Sequence, residues 1–236
     1  MTTTAKSSRP KTPRPGTTRP GVPGSPEDAP VTVGDLLDRL GGIPARRVLM
    51  HPTPGTATEA DLLKVLDGNE RLCELVEGTL VEKAVGFQET WLTAALITEL
   101  FLFVKNRRLG RVTTPDMPFR LLTGLVRLPD IAFTSYDRMP GRKVPKDPIP
   151  NLVPDLAVEV LSKSNTPKEL KRKLEEYFAA GVRLVWIIDS RKKTVRVHTA
   201  IDRSTLLREG ETLDGGDVLP GFQLPLARIF EPEEEA

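Results

Sequence analysis

Residues 154–189, PDLAVEVLSKSNTPKELKRKLEEYFAAGVRLVWIID, constrain the fold more than any other stretch of the chain. An apolar run, a helix with clear start and stop signals, and a second apolar run follow one another. Thr166, Pro167 and Glu169 read as a capping box with proline at the first helical position. Gly181 closes the helix. Leu170, Leu174, Tyr177 and Phe178 recur at helical spacing and predict its buried stripe. RLVWIID is apolar almost throughout, which predicts a central strand. Strand, helix, strand in this order predicts an α/β or α+β sheet with a crossover helix.

Glu159 sits in the middle of the first apolar run. Leu156, Val158 and Val160 point to one face, and Ala157, Glu159 and Leu161 to the other. Both faces are apolar, so the carboxylate is expected to be buried, which is costly unless it is paired or coordinates a metal. Asp130, in VRLPDIAF, repeats the pattern in a second apolar run. Its plainer reading is an edge aspartate that accepts a neighbouring backbone N–H. Asp155 has the same Pro-Asp context and reads as a loop or cap residue.

Lys173 borders the stripe of the following helix. From Glu159 to the end of its strand is roughly 7–10 Å at strand rise. From Pro167 back down to Lys173 is roughly 9 Å at helical rise. The two side chains are therefore expected at similar depth. Two carboxylates beside a lysine can hold a divalent metal and position a water, the minimal equipment for phosphodiester hydrolysis. Paired with a buried basic residue, the same glutamate would serve structure alone. Glu74, in CELVEG, is either a further buried acid or an ordinary hairpin residue.

The rest of the chain frames this unit. Residues 1–30 are rich in Pro, Thr, Ser, Gly and Arg without apolar periodicity and are expected to be disordered. VTVGDLLDRLGG and TEADLLKVLDG predict short helices, the second capped by Thr58. RLCELVEGTLVEKAV predicts a hairpin turning at Glu77-Gly78. ETWLTAALITELFLFVKNRRLG predicts a long helix with Leu92, Leu96, Leu100 and Phe103 inward and Gly110 at its end. RVTTPDMPFRLL and LVRLPDIAF predict strands, and YDRMPGRKVPKDPIPNLV a long loop. TVRVHTA and STLLREGETL predict meander strands, and residues 231–236 form an acidic tail. Trp91 and Trp186 stand in apolar contexts and are expected in the core.

Charge narrows the partners. Lys6, Arg9, Lys11, Arg14 and Arg19 give the first 20 residues a local +5, which leaves 29 basic against 32 acidic residues elsewhere. A nucleic-acid surface must therefore be local, and Arg138, Arg142 and Lys143, then Lys163, Lys168, Lys171 and Arg172, are its candidates. No run is expected to be long enough for a membrane span. Cys73 is alone, so no disulfide framework or thiolate zinc site is expected. The lone cysteine points to a reducing, cytoplasmic setting, and the N-terminus shows no apolar core for a secretion signal.

The pattern CELVEG, LVRLPDIAF, PDLAVEVLSKSNTPKELKRKLEEYFAAGVRLVWIID and LREGETLDGGDVLPGFQLPLARIF resembles the Uma-two-type restriction endonuclease family of the PD-(D/E)xK nuclease superfamily. The likeness spans about residues 31–230, taken as one domain between the two tails. It implies a restriction-endonuclease-like mixed β-sheet flanked by helices. By resemblance, Asp130 and Glu159 match the metal-binding acids and Glu74 the early glutamate. The superfamily's lysine two residues after the glutamate is replaced by Leu161. Lys173 fits a lysine migrated to the helix, and Lys163 is the alternative.

These readings predict a DNA endonuclease dependent on Mg²⁺ or Mn²⁺, with a homodimer as one assembly suited to double-strand cleavage. The runner-up is a nuclease-fold module that binds DNA or a partner without cleaving. A purely structural oligomerisation protein gives less reason for two buried acids.

Overall fold

The computed structural model describes residue 1 and residues 32–68, 71–84 and 86–230. Apart from Met1, the basic tail expected at 1–30 lies outside the described residues, as does the acidic tail at 231–236. Two short helices, α1 (Val33–Arg39) and α2 (Glu59–Asp67), precede the hairpin of β1 (Cys73–Val76) and β2 (Thr79–Glu82). The long helix α3 (Phe87–Arg107) leads into β3 (Gly110–Thr113), β4 (Phe119–Leu122), β5 (Leu125–Arg127) and β6 (Ile131–Ser135). Next come β7 (Leu156–Val160), α4 (Pro167–Ala180), β8 (Leu184–Asp189), β9 (Thr194–His198) and β10 (Ser204–Arg208). The hairpin of β11 (Thr212–Asp214) and β12 (Gln223–Pro225) and the turn of helix α5 (Ala227–Phe230) close the described residues.

A six-stranded sheet in the order β10-β9-β8-β7-β6-β3 carries the core. Only β7 and β8 run parallel in it, joined by α4 as the crossover. Alternation along β7 divides the two layers. Leu156, Val158 and Val160 face α3, where Leu92, Leu96, Leu100, Val104 and Trp186 complete one core. Ala157 faces the other layer with Tyr177, Val185 and Ile187. A second sheet, β2-β1-β5-β4, packs beside the first over a smaller core around Leu62, Leu75 and Val126.

Several local expectations need correction. LVRLPDIAF is two strands, not one: β5 belongs to the second sheet and β6 to the first, and Leu128-Pro129-Asp130 is the joint. RVTTPDMPFRLL likewise divides into β3 and β4. Arg108, in left-handed conformation, ends α3 rather than Gly110. Gly110 opens β3, where a Cβ would collide with the Thr134 carbonyl, so the glycine serves close strand approach. At α4 only half of the capping box forms. Thr166 accepts from the Glu169 N–H at 3.0 Å, but the Glu169 carboxylate turns to Arg47, 2.8 and 3.0 Å away.

Trp186 is buried as expected, but Trp91 is 49% exposed on the outer face of α3. The apolar context of Trp91 reflects a helix that is apolar on two faces, only one of which is packed inward. By length and composition alone α3 could cross a membrane, contrary to the expectation that no run would reach that length. Its Leu92, Leu96, Leu100 and Val104 row lies in the core of this domain.

Candidate active site

The joint between the sheets is where charge collects. Pairing of β6 with β7 sets the Asp130 N–H 2.9 Å from the Val158 carbonyl. Asp130 Oδ2 in turn accepts the Val160 N–H at 2.7 Å. The aspartate is thereby clamped across Glu159. On the α4 side of β7, Glu159 Oε2 lies 2.9 Å from Lys173 Nζ. Tyr177 OH, one turn further along α4, donates to Glu159 Oε1. The depth argument for Glu159 and Lys173 thus describes a real contact. It depends on α4 running back along the strand it left.

Glu74 arrives from the other sheet. Lys173 Nζ is 3.3 Å from its Oε1, and the Leu128 N–H donates to the same oxygen at 3.1 Å. Arg127 Nη1 donates to Glu74 Oε2 at 2.7 Å, and its Nε and Nη2 reach Glu176 Oε2 of α4 at 2.8 and 2.6 Å. One buried network therefore ties β1, β5, β7 and α4 together. The most buried face of α4 is the polar row Glu169, Lys173 and Tyr177, while Leu170, Leu174 and Phe178 are only partly covered. The apolar stripe expected from spacing is its flank.

Two members went unnoticed in the sequence. Lys83 follows β2, and its ammonium bonds Asp130 Oδ1 at 2.8 Å and also the Leu128 carbonyl. Arg127, in LVR, resembled an ordinary strand residue. Neither Arg127 nor Lys83 carries a local signal, because their carboxylate partners lie 47 to 53 residues away. Asp155, expected as a loop or cap residue, stands just before β7 and is also buried. It accepts the Ser135 N–H at 2.8 Å and pairs with Arg138 at 2.9 Å.

Electrostatics separate the carboxylates. Burial works against ionised Glu74, but Lys173 and Arg127 overcome it and hold its pKa well below the usual carboxylate range. Glu159 moves the other way: burial, then the nearby Asp130 and Glu74 charges, outweigh Lys173 and push it up. Lys173 is raised despite its burial, because Glu159 and Glu74 hold the proton. Burial and the same two carboxylates raise Tyr177 and keep it a donor.

The donors suit a hard cation. Asp130 and Glu159 offer only oxygens, and each carboxylate oxygen keeps a lone pair beyond its protein partner. Among the described residues no group of three or more Asp, Glu, His or Cys side chains is arranged to hold a metal. Mg²⁺ commonly uses one or two carboxylates and completes its shell with water and substrate phosphate. Asp130 is the open member, its side chain 17% exposed. A groove of about 610 Å³ bordered by Leu63, Arg71, Glu82, Asp116 and Pro148 reaches the cluster through Lys83.

The basic candidates do not share one rim. Arg138 donates to the Gly181 carbonyl at 2.7 Å, at the C-terminal end of α4. Lys168 stands at the opposite end, 3.3 Å from Asp38. Arg172 is held by Glu77 and Glu176, Arg142 by Asp137 and Lys171 by Glu175. Lys163 and Lys143 are exposed, and Lys163 is not among the partners of Glu159.

A family model described as "Uma2: Putative restriction endonuclease" matches residues 59–227. A solved structure from Anabaena variabilis, described as "a putative nuclease belonging to DUF820", is similar over 68% of this chain and 90% of its own. Its identity is 18% and its TM-score 0.58, so the two share a fold. No curated protein matches the chain in sequence.

Proposed function

Because the chain belongs to the Uma2 family, we propose that it is a metal-dependent DNA endonuclease of the PD-(D/E)xK type, with Asp130, Glu159, Lys173 and Glu74 as its working residues. The observation that carries this reading is the closeness of the two acids: Asp130, in the joint before β6, accepts the Val160 N–H next to Glu159, and the Glu159 carboxylate meets the Lys173 ammonium and feels the Asp130 charge. A Mg²⁺ or Mn²⁺ ion held by Asp130 and Glu159 would supply polarisation of the scissile phosphate and a lowered pKa for attacking water.

The protein's own groups do the rest. Lys173 stays protonated between Glu159 and Glu74, so it can orient the attacking water or offset charge developing on the phosphoryl oxygens. Glu74 fixes that ammonium, and Arg127 fixes Glu74. Tyr177 holds Glu159 in one rotamer. Lys83 neutralises Asp130.

A second reading has a specific observation behind it. Both oxygens of Asp130 and of Glu159 already have protein donors, as in a module that keeps the acids for stability. A cleavage assay on plasmid, linear and single-stranded DNA with Mg²⁺ or Mn²⁺ separates the two. Metal-dependent nicking or cutting that disappears in Glu159→Gln supports the nuclease. Binding of DNA without cleavage under any of these conditions favours the module.

A further inference from the structure

Among the described residues, the outer face of α3 carries a stripe that no other element covers. Phe87, Trp91, Phe101 and Leu102 are 80%, 49%, 47% and 51% exposed. Ala94, Thr98 and Lys105 on the same face are exposed too. Phe87, Trp91, Ala94, Thr98, Phe101 and Lys105 are spaced 4, 3, 4, 3 and 4 residues apart, the seam of a two-helix coiled coil. The buried row of the same helix points to the opposite side.

We infer that α3 is a homodimer interface in which the helices of two copies pack antiparallel about a two-fold axis near Leu96. The size pattern is self-complementary in that arrangement. Small Ala94 meets Thr98 of the second copy at the crossing point, where helices approach closely. Trp91 meets Phe101 in the layers outside. Phe87 meets the Lys105 stem, which can lie along a ring. Thr98 donates its hydroxyl to the Ala94 carbonyl of its own helix at 2.9 Å, so it brings no unpaired donor into the contact.

Charge sets the direction. Lys105, Arg107 and Arg108 crowd the C-terminal end of α3. Parallel packing would place two copies of this cluster together, whereas antiparallel packing separates them by the helix length, roughly 31 Å at 1.5 Å per residue. The four large apolar side chains expose on the order of 450 Å², given about 150–250 Å² for a full aromatic side chain. A standard interface takes about 800 Å² per partner, so the stripe forms its apolar centre and the polar residues beside it the margin. Because α3 and Glu159 lie on opposite faces of the sheet, such a dimer leaves both acid clusters open outward.

The test uses the full chain without DNA, so its result is independent of the nuclease reading. Light scattering or sedimentation at tens of micromolar should give twice the 26.0 kDa chain mass. Trp91→Glu and Phe101→Glu should each give the single-chain mass while still unfolding in one cooperative urea transition. On oxidation, Ala94→Cys/Thr98→Cys should cross-link two chains, and Ala94→Cys alone should not. A monomeric wild type overturns the proposal, including one whose Trp91 is shielded by another segment of its own chain or only by lipid vesicles. So does a dimer untouched by either glutamate variant, or one cross-linked by Ala94→Cys alone.

Discussion

Replacing Lys173 with methionine tests the buried network at its centre. Methionine keeps most of the stem packing and removes the charge. The ammonium now lies 2.9 Å from Glu159 and 3.3 Å from Glu74. After its loss Glu74 still has Arg127 and the Leu128 N–H, but Glu159 keeps only the Tyr177 hydroxyl. One buried carboxylate is stranded, not two. Breaking a buried pair in this way costs about 3–5 kcal/mol, a large part of the roughly 5–15 kcal/mol that holds a domain folded.

The cost should depend on pH, with a definite sign. Burial already raises Glu159, and losing Lys173 raises it further. A carboxyl whose folded pKa exceeds its unfolded value takes up a proton on folding, so the variant loses stability as pH rises through that interval. Each pH unit contributes up to about 1.4 kcal/mol per proton. Urea unfolding of wild type and Lys173→Met should therefore show a deficit near 3–5 kcal/mol at pH 8 that shrinks by at least about 1 kcal/mol at pH 5.5. Adding Glu159→Gln should recover about 1–3 kcal/mol of it. A deficit below about 1 kcal/mol, or one flat with pH, would refute the pairing described here.

Three other outcomes follow. Glu159→Gln should destabilise the metal-free protein by about 1–2 kcal/mol in urea unfolding, because it removes a partner of Lys173; a gain would mean that the carboxylate is uncompensated. Lys83→Met should tighten Mn²⁺ binding about tenfold, or about 1.4 kcal/mol, by removing the cation on Asp130; unchanged or weaker affinity in a titration would place Lys83 outside the site's electrostatics. Lys173→Met should abolish cleavage while Lys163→Met stays within about threefold of wild type, and the reverse result in a plasmid assay would assign the lysine to position 163.

The α4 unit was legible in the sequence because its signals are local: proline and threonine at the start, glycine at the end, apolar strands on each side. Alternation in LAVEVLS identified the face of Glu159, and helical rise brought Lys173 to its level. What stayed hidden depends on pairing across long separations. Lys83 is 47 residues from Asp130 and follows a strand end, where a lysine usually meets solvent. Arg127 is buried because β5 is sandwiched between β1 and β4, which no local pattern states. The polar row of α4 is hidden in the sequence because charged residues whose partners lie in other elements look like a solvated face. Trp91 misled for the converse reason: an apolar context does not say which face of a helix is covered.

Mn²⁺ binding, followed by the loss of free-ion EPR signal at pH 7.5 with and without a non-cleavable DNA duplex, is the most direct test of the proposed metal site. Wild-type protein should take up Mn²⁺, more tightly with duplex present, and Asp130→Asn and Glu159→Gln should each lose that uptake while remaining folded. Equal Mn²⁺ uptake by all three proteins, or none by the wild type even with duplex, would contradict a metal held between Asp130 and Glu159.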